Sequence, residues 1–233
     1  MKVEVYKSLE KICHAAAESF LNLIDGSDLS IVVPGGNTPK DFFHVLAQAN
    51  IDWRKISLIL SDERMVQVNH QASNHGMIKE TLLKRLSEKN RPTVIPDMEN
   101  FIEVNSEEFL DETNSSIKKI FPIKYAFLGM GSDGHTASLF PGHEMVSINS
   151  DPFFYTHKQG DDYQRITLSM DFLQSIPYIT FLVSGKSKYT DLKAILKGNK
   201  IIDKSPAHQL IDKSNGQASI LCDQKAWPAK VNA

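Results

Sequence analysis

The 233-residue sequence predicts a single α/β domain, residues 1–233, with a doubly wound, Rossmann-like and mainly parallel sheet that has helices on both faces. Short apolar runs alternate along the chain with segments of helical periodicity, and this order is typical of βαβ units. The apolar runs also lack the polar–apolar alternation of half-exposed strands. We therefore expect most strands to be buried on both faces of the sheet.

Four apolar runs are predicted as central strands, and they occupy residues 29–33, 56–60, 125–128 and 180–183. Helical periodicity covers residues 8–23, 40–49, 74–86, 106–120 and 188–196. Two further strands are predicted outside this regular alternation. Residues 165–169 are expected to form a strand that runs antiparallel, and residues 218–222 are expected to form the last strand.

The composition limits the kinds of molecule that this protein is expected to bind. With 26 basic and 28 acidic side chains the net charge is -2, which gives no indication of nucleic-acid binding. No apolar run has the length of a signal peptide core or a membrane span, so we expect a cytoplasmic protein without a membrane partner. Cys13 and Cys222 stand far apart and form no C-x-x-C motif, so neither a disulfide framework nor a sulfur metal site is indicated.

Polar or glycine-rich sequence follows each of the four central strands at once. These segments are residues 34–39, 61–64, 129–135 and 184–186. The carboxyl ends of parallel strands share one edge of the sheet, and ligands bind in the crevice outside that edge. The topology therefore predicts that four segments distant in sequence meet at one site.

The first two segments suit a phosphate. Gly35 and Gly36 allow close approach of backbone N–H groups to an anion, and Asn37 or Thr38 can cap the helix that follows. An isolated Gly-Gly is equally often a tight turn without a ligand. Arg64 offers bidentate geometry for phosphate. Arg165 and Lys186 are further candidate cations, although each alone is more commonly a surface charge.

His135 is the candidate general base of the third segment, because an imidazole that titrates near neutral pH can accept a proton from water. Asp133 is expected to orient the imidazole. Asp62 could transfer a proton or pair with a cation, and the sequence does not choose between these roles. The other histidines show no metal-ligand spacing relative to His135, so no metal is predicted.

Two other interpretations of the third segment are less well supported. Glycines 129, 131 and 134 match the G-x-G-x-x-G dinucleotide fingerprint, but Pro141-Gly142 arrives before a long helix can form. No acidic residue ends a second strand at the distance that this motif requires. Ser132 lacks the G-x-S-x-G context of a serine nucleophile.

Taken in order, these segments resemble the glucosamine-6-phosphate isomerase/6-phosphogluconolactonase family. The resemblance rests on Gly35 to Pro39, Asp62 to Arg64 with Ser73-Asn74, Gly129 to Gly142, residues 165–168, Gly185-Lys186 and Pro206-Ala207. The Gly-His-Thr-Ala-Ser-Leu-Phe-Pro-Gly sequence, residues 134–142, is similar to the lactonase branch. Arg64 stands where the deaminase branch usually has tyrosine. Pro34, Asn37 and Ser132 depart from the usual family pattern.

The resemblance implies hydrolysis of 6-phospho-D-glucono-1,5-lactone to 6-phosphogluconate in the pentose phosphate pathway, without a cofactor. For this reaction the residues themselves predict His135, Asp133 and Asp62 as catalytic. They predict substrate binding by Gly35, Gly36, Asn37, Thr38, Arg64, Arg165 and Lys186. A deaminase acting on glucosamine 6-phosphate and a sugar-phosphate sensor without turnover are the alternatives. The oligomeric state is left open, with a monomer favoured.

Overall fold

The computed structural model describes residues 1–36, 38–101, 106–143, 150–197, 205–214 and 217–228. Its strands are β1 Lys2–Tyr6, β2 Leu29–Val33, β3 Ile56–Leu60, β4 Asp62–Arg64, β5 Thr93–Ile95, β6 Tyr125–Gly129, β7 Phe153–Thr156, β8 Arg165–Leu168, β9 Tyr178–Val183 and β10 Ala218–Asp223. Its α-helices are α1 Leu9–Leu21, α2 Lys40–Leu46, α3 Asn74–Thr81, α4 Ser106–Ile120, α5 Met170–Gln174, α6 Tyr189–Leu196 and α7 Pro206–Lys213.

Seven strands form the main sheet in the order β1-β10-β9-β6-β2-β3-β5, and every neighbouring pair is parallel. From β2 the chain continues to β3 and β5 on one side, whereas from β6 it continues to β9 and β10 on the other. The predicted α/β fold with a mainly parallel sheet is confirmed. The change of direction between β2 and β6 creates a crevice at their carboxyl ends, which is where open α/β sheets bind ligands.

Successive residues of the central strands enter two different hydrophobic clusters. Val32 packs in the cluster on one face of the sheet, whereas Ile31 and Val33 pack in the cluster on the other. The second cluster contains aromatic rings of α1 and α2, where Phe20 and Phe42 meet edge to face at 6.0 Å. Burial on both faces explains why these strands are apolar at every position and do not alternate.

A small antiparallel sheet in the order β4-β8-β7 lies beside the main sheet. It confirms the predicted antiparallel strand near residue 165. Within the polar segment of residues 61–64, for which no strand is predicted, Asp62–Arg64 forms β4 and pairs with β8. Charged residues have low strand propensity, but here their side chains bind buried partners and the tertiary contacts decide the conformation.

Several element bounds differ from the prediction. Helix α2 ends at Leu46 and not at residue 49, and α3 ends at Thr81 before a 3₁₀ turn at Leu83–Arg85. Pro39 occupies the N-cap of α2 without a side-chain capping bond, so the expected cap by Thr38 was wrong; Asn37 lies outside the described residues. No helix in the described ranges is long and apolar enough to cross a membrane.

Candidate active site

A cleft of about 210 Å³ opens at the carboxyl ends of β2 and β6. All four segments that were predicted to meet contribute to it. The predicted site residues that line it are Gly35, Gly36, Thr38, Asp62, Arg64, His135 and Arg165. The segment after β2 is called the glycine loop below (residues 34–39 apart from Asn37), and residues 129–138 are called the histidine loop. Parallel topology thus brings together residues as far apart in sequence as Gly35 and Ser184.

Asp133 holds the imidazole of His135. The distance from His135 Nδ1 to Asp133 Oδ1 is 2.5 Å, and the same oxygen accepts the backbone N–H of His135 at 3.2 Å. A carboxylate at Nδ1 favours the tautomer with hydrogen there, which leaves the Nε2 lone pair to accept a proton. Burial raises the pKa of the Asp133 carboxyl, but the hydrogen bonds from His135 outweigh it, and the pKa is lowered overall.

The imidazole is also confined on its other sides. A Cβ atom at Gly131 would lie 2.0 Å from His135 Nδ1, so only glycine fits there. The ring centroids of His135 and Phe140 are 4.9 Å apart. Gly131 N–H donates to the His135 carbonyl at 2.7 Å and closes the turn. The His135 side chain keeps 29% exposure, so water can reach it.

Asp62 is buried and links the histidine loop to the small sheet. Its Oδ2 accepts the Ser138 hydroxyl at 2.5 Å, and its Oδ1 accepts Ser61 Oγ at 3.2 Å. Arg165 Nη1 lies 3.3 Å from Ser138 Oγ and 3.8 Å from Asp62 Oδ2. Within the described ranges no hydrogen bond joins Asp62 to His135. The geometry therefore favours a structural role for Asp62 over proton transfer.

The two arginines of the cleft differ in how much of their charge is compensated. The Arg165 guanidinium is buried and donates to Asp161 through both Nε and Nη2. Its Cζ lies 5.9 Å from the ring centroid of Phe140 and 5.4 Å from that of Tyr163. Arg64 has no salt bridge to any described carboxylate. Its Nη1 donates to the Ala72 carbonyl at 2.7 Å, and its buried Nε has no hydrogen-bond partner in the described part of the chain. Arg64 is thus the better-suited cation for an anionic ligand.

Lys188 lines the cleft, whereas the predicted Lys186 is exposed and does not. Gly185, with φ +96°, begins a 3₁₀ turn over Lys186–Lys188 that brings its third residue to the cleft. Burial lowers the pKa of Lys188, and the carboxylates of Asp133 and Asp191 oppose that shift. Two lysines separated by one residue cannot be distinguished from sequence until the turn is known, which is why Lys188 was missed.

Glu63, between Asp62 and Arg64, is fully buried and binds the first turn of α3. Its carboxylate accepts the backbone N–H groups of Asn74 at 2.7 Å and His75 at 2.6 Å. It also accepts the N–H of Arg64 and the hydroxyl of Ser73. Burial raises the pKa of Glu63 to about 7, although these hydrogen bonds limit the rise. Glu63 therefore connects the strand that carries Arg64 to α3.

The described residues include no group of three or more His, Cys, Asp or Glu side chains that could hold a metal ion. His75 is buried, and its Nδ1 lies 3.2 Å from the Pro96 carbonyl and 3.1 Å from the Met98 nitrogen. His70 Nδ1 accepts the N–H of Ala72. These two histidines are therefore engaged by backbone groups near them.

Residues 3–220 match the family described as Glucosamine-6-phosphate isomerases/6-phosphogluconolactonase. The chain belongs to this family. Among its relatives, the 6-phosphogluconolactonase of Thermotoga maritima is 34% identical over 169 residues, which are 72% of this chain and 74% of the relative. The 6-phosphogluconolactonase of Pseudomonas putida is 31% identical over 179 residues, 74% of this chain and 72% of the relative.

Solved structures agree on the fold. The crystal structure of 6-phosphogluconolactonase from Leishmania guyanensis has a TM-score of 0.82 at 22% identity, and the match covers 100% of this chain and 99% of that one. A monomeric glucosamine-6-phosphate deaminase matches with a TM-score of 0.81 at 19% identity, over 99% of this chain and 100% of that one. Because both enzymes share this fold, the fold alone does not separate lactone hydrolysis from deamination.

Proposed function

We propose that this protein hydrolyses 6-phospho-D-glucono-1,5-lactone to 6-phospho-D-gluconate, with His135 as the general base. The observation that carries the proposal is a cleft lined by His135, which follows β6 and is oriented by Asp133, and by Arg64, which follows β3 on the other side of β2 and has no salt bridge to a described carboxylate. A base on one side and a cation on the other suit a ligand with an electrophilic carbon at one end and a phosphate at the other. Relatives about 30% identical that are named 6-phosphogluconolactonases support the same substrate.

In the proposed reaction, Nε2 of His135 takes a proton from water as the water oxygen attacks the lactone carbonyl carbon. The tetrahedral intermediate then collapses with cleavage of the bond between that carbon and the ring oxygen. The imidazolium returns its proton to the departing ring oxygen, which becomes a hydroxyl group. Asp133 stabilises the imidazolium between these two transfers. The new carboxylic acid ionises and releases one proton to solvent in each turnover.

Substrate binding is proposed to use Arg64 as the principal phosphate ligand, with Gly35, Gly36 and Thr38 shaping the loop around it. Arg165 and Lys188 add positive potential to the cleft. Anchoring the phosphate lets binding energy orient the lactone carbonyl toward the water that His135 activates. Lys186, which is exposed, has no role in this arrangement.

The test is a pH-stat assay of proton release from freshly generated 6-phosphogluconolactone, with spontaneous hydrolysis subtracted. The wild-type protein should accelerate proton release. His135→Ala should lower kcat by about 10²–10⁴-fold, because this is the usual contribution of a general base. Phosphate affinity should change little. Turnover by His135→Ala at the wild-type rate would refute the base assignment. Ammonium release from glucosamine 6-phosphate, without lactone hydrolysis, would identify a deaminase instead.

A further inference from the structure

Asn74 is the first residue of α3, and its side chain reaches away from its own helix. Ser73, one residue earlier, already caps α3 by accepting the N–H of Gly76 at 2.9 Å. The Asn74 side chain is almost fully buried and is not among the residues that line the cleft. A buried carboxamide that is not needed as a helix cap requires other partners, because burying it without hydrogen bonds is costly.

This carboxamide has three hydrogen-bond partners, which belong to the glycine loop and to strand β4. Its Nδ2 donates to the Asp62 carbonyl at 2.7 Å. Its Oδ1 accepts the backbone N–H of Gly36 at 3.0 Å and Nη1 of Arg64 at 3.3 Å. One side chain thus connects the glycine loop, at a separation of 38 residues, to the strand that carries Arg64.

A carboxamide satisfies this set of partners without carrying a charge. It offers a donor and an acceptor at once, whereas aspartate offers acceptors only and would place a second carboxylate near Asp62. The bond to Gly36 also means that this N–H is occupied, so Gly36 shapes the loop and does not supply that amide to a ligand. With Nη1 of Arg64 held by Asn74 and Ala72, the guanidinium has a fixed position at the cleft.

The fit between Asn74 and the glycine loop leaves no spare space. A Cβ atom at Gly35 would lie 2.1 Å from the Asn74 carboxamide carbon and nitrogen. The backbone of Gly35 does not have a left-handed φ, so alanine there is excluded by this collision and not by strain. The position of the loop therefore depends on the side chain at 74.

We propose that Asn74 is a positioning residue that holds the glycine loop and Arg64 in the relative positions needed to bind the phosphate of the substrate. This inference rests on the proposed function for the identity of the substrate, but the anion-binding arm of its test does not. Because Asn74 does not line the cleft, its loss should weaken phosphate affinity and leave the chemical step at His135 nearly intact.

The first test compares Asn74→Ala with Asn114→Ala. Asn114 is also buried, and its carboxamide also bonds backbone groups, the N–H and carbonyl of Phe153; neither residue lines the cleft. Asn74→Ala should raise KM for the lactone, and Kd for 6-phosphogluconate and inorganic phosphate measured by calorimetry, by about 10- to 30-fold. Its kcat should stay within about threefold of wild type. Asn114→Ala should change none of these constants more than about twofold.

Gly35→Ala supplies a second route that keeps Asn74 in place. It should weaken phosphate binding by pushing the carboxamide away from Gly36 and Arg64. In the double variant Gly35→Ala/Asn74→Ala the collision is relieved, so the loss should be clearly smaller than the product of the two single losses. Phosphate Kd within twofold of wild type for both single variants would overturn the proposal, and so would a multiplicative double variant.

The proposed function and the positioning inference fail in different ways. A wild-type protein that binds phosphate but does not hydrolyse the lactone would refute the function, and the Asn74 inference would then be decided by phosphate Kd alone. A wild-type lactonase whose Asn74→Ala variant loses kcat as strongly as it loses affinity would refute the positioning role and leave the function intact.

Discussion

The two sides of the cleft are built in different ways. On one side the imidazole of His135 is positioned by residues of its own turn, since Asp133 and Gly131 contact His135 from within that turn. On the other side Arg64 and the glycine loop are held by buried groups from elsewhere in the chain, namely Glu63 and Asn74. The reacting group thus lies on a compact, half-exposed turn, whereas the proposed anchor for phosphate depends on long-range packing.

The difference has a physical reason. A general base must remain accessible to water and must change protonation in every turnover, so it cannot be sealed in the interior. A phosphate site benefits from a rigid arrangement of donors that does not reorganise on binding. The following predictions test whether the two sides are separable in this way.

The largest expected effect is a change in the free energy of unfolding with pH, and it concerns Glu63 on the Arg64 side of the cleft. Because burial raises the pKa of Glu63 from 4.5 to about 7, the folded state keeps a proton that the unfolded state has lost between these values. Relative to its value below pH 4.5, the free energy of unfolding therefore falls by on the order of 3 kcal/mol as the pH rises to 7. Urea denaturation at several pH values should show this loss in wild type relative to Glu63→Gln, which does not titrate. A difference between the two proteins that is independent of pH would contradict it.

The next effect concerns the half-exposed side. Gly131→Ala should lower kcat about 100-fold, because the new methyl group would displace an imidazole that now lies 2.0 Å from its position. KM should change little, since the phosphate side is built from other residues. Gly160→Ala is the control, because an added Cβ at Gly160 would meet no atom within 4 Å and Gly160 does not line the cleft; its φ of +88° adds backbone strain that Gly131 does not have. Equal losses in kcat and in phosphate affinity for Gly131→Ala would show that the two sides are coupled.

Asp133→Asn should lower kcat by about 10- to 30-fold. The variant keeps an oxygen near His135 Nδ1 but loses the charge that stabilises the imidazolium. The effect is expected to be smaller than for a buried triad carboxylate because the Asp133 side chain is 51% exposed. Steady-state kinetics would measure it, with the exposed Asp111→Asn as the control for loss of one negative charge. An unchanged kcat would mean that Gly131 and Phe140 alone orient the ring.

The same contrast explains what the sequence could predict. The apolar runs of β2, β3, β6 and β9 are local features, and their carboxyl-end segments do meet as predicted. The histidine loop is continuous in sequence, so its residues could be identified together. Asn74 and Ser138 act across 38 and 76 residues, and a single sequence contains no record of which distant groups their side chains reach. Strand β4 was missed for the same reason, because buried hydrogen bonds and not strand propensity stabilise it.

The smallest predicted effect distinguishes two neighbouring lysines. Lys188→Ala should raise KM for the lactone about fivefold, because it removes a half-buried ammonium from the cleft, and a partly exposed charge contributes about 1 kcal/mol. Lys186→Ala removes the same charge two residues earlier, from an exposed position outside the cleft, and should leave KM and kcat unchanged. The pair separates local geometry from net charge, since both variants lose one positive charge from the same turn. If both variants raised KM equally, long-range attraction of the anionic substrate would explain the effect, and raising the ionic strength would abolish it. If only Lys188→Ala raised KM and the effect persisted at high salt, the groups that bind the phosphate would include Lys188, which follows the carboxyl end of β9.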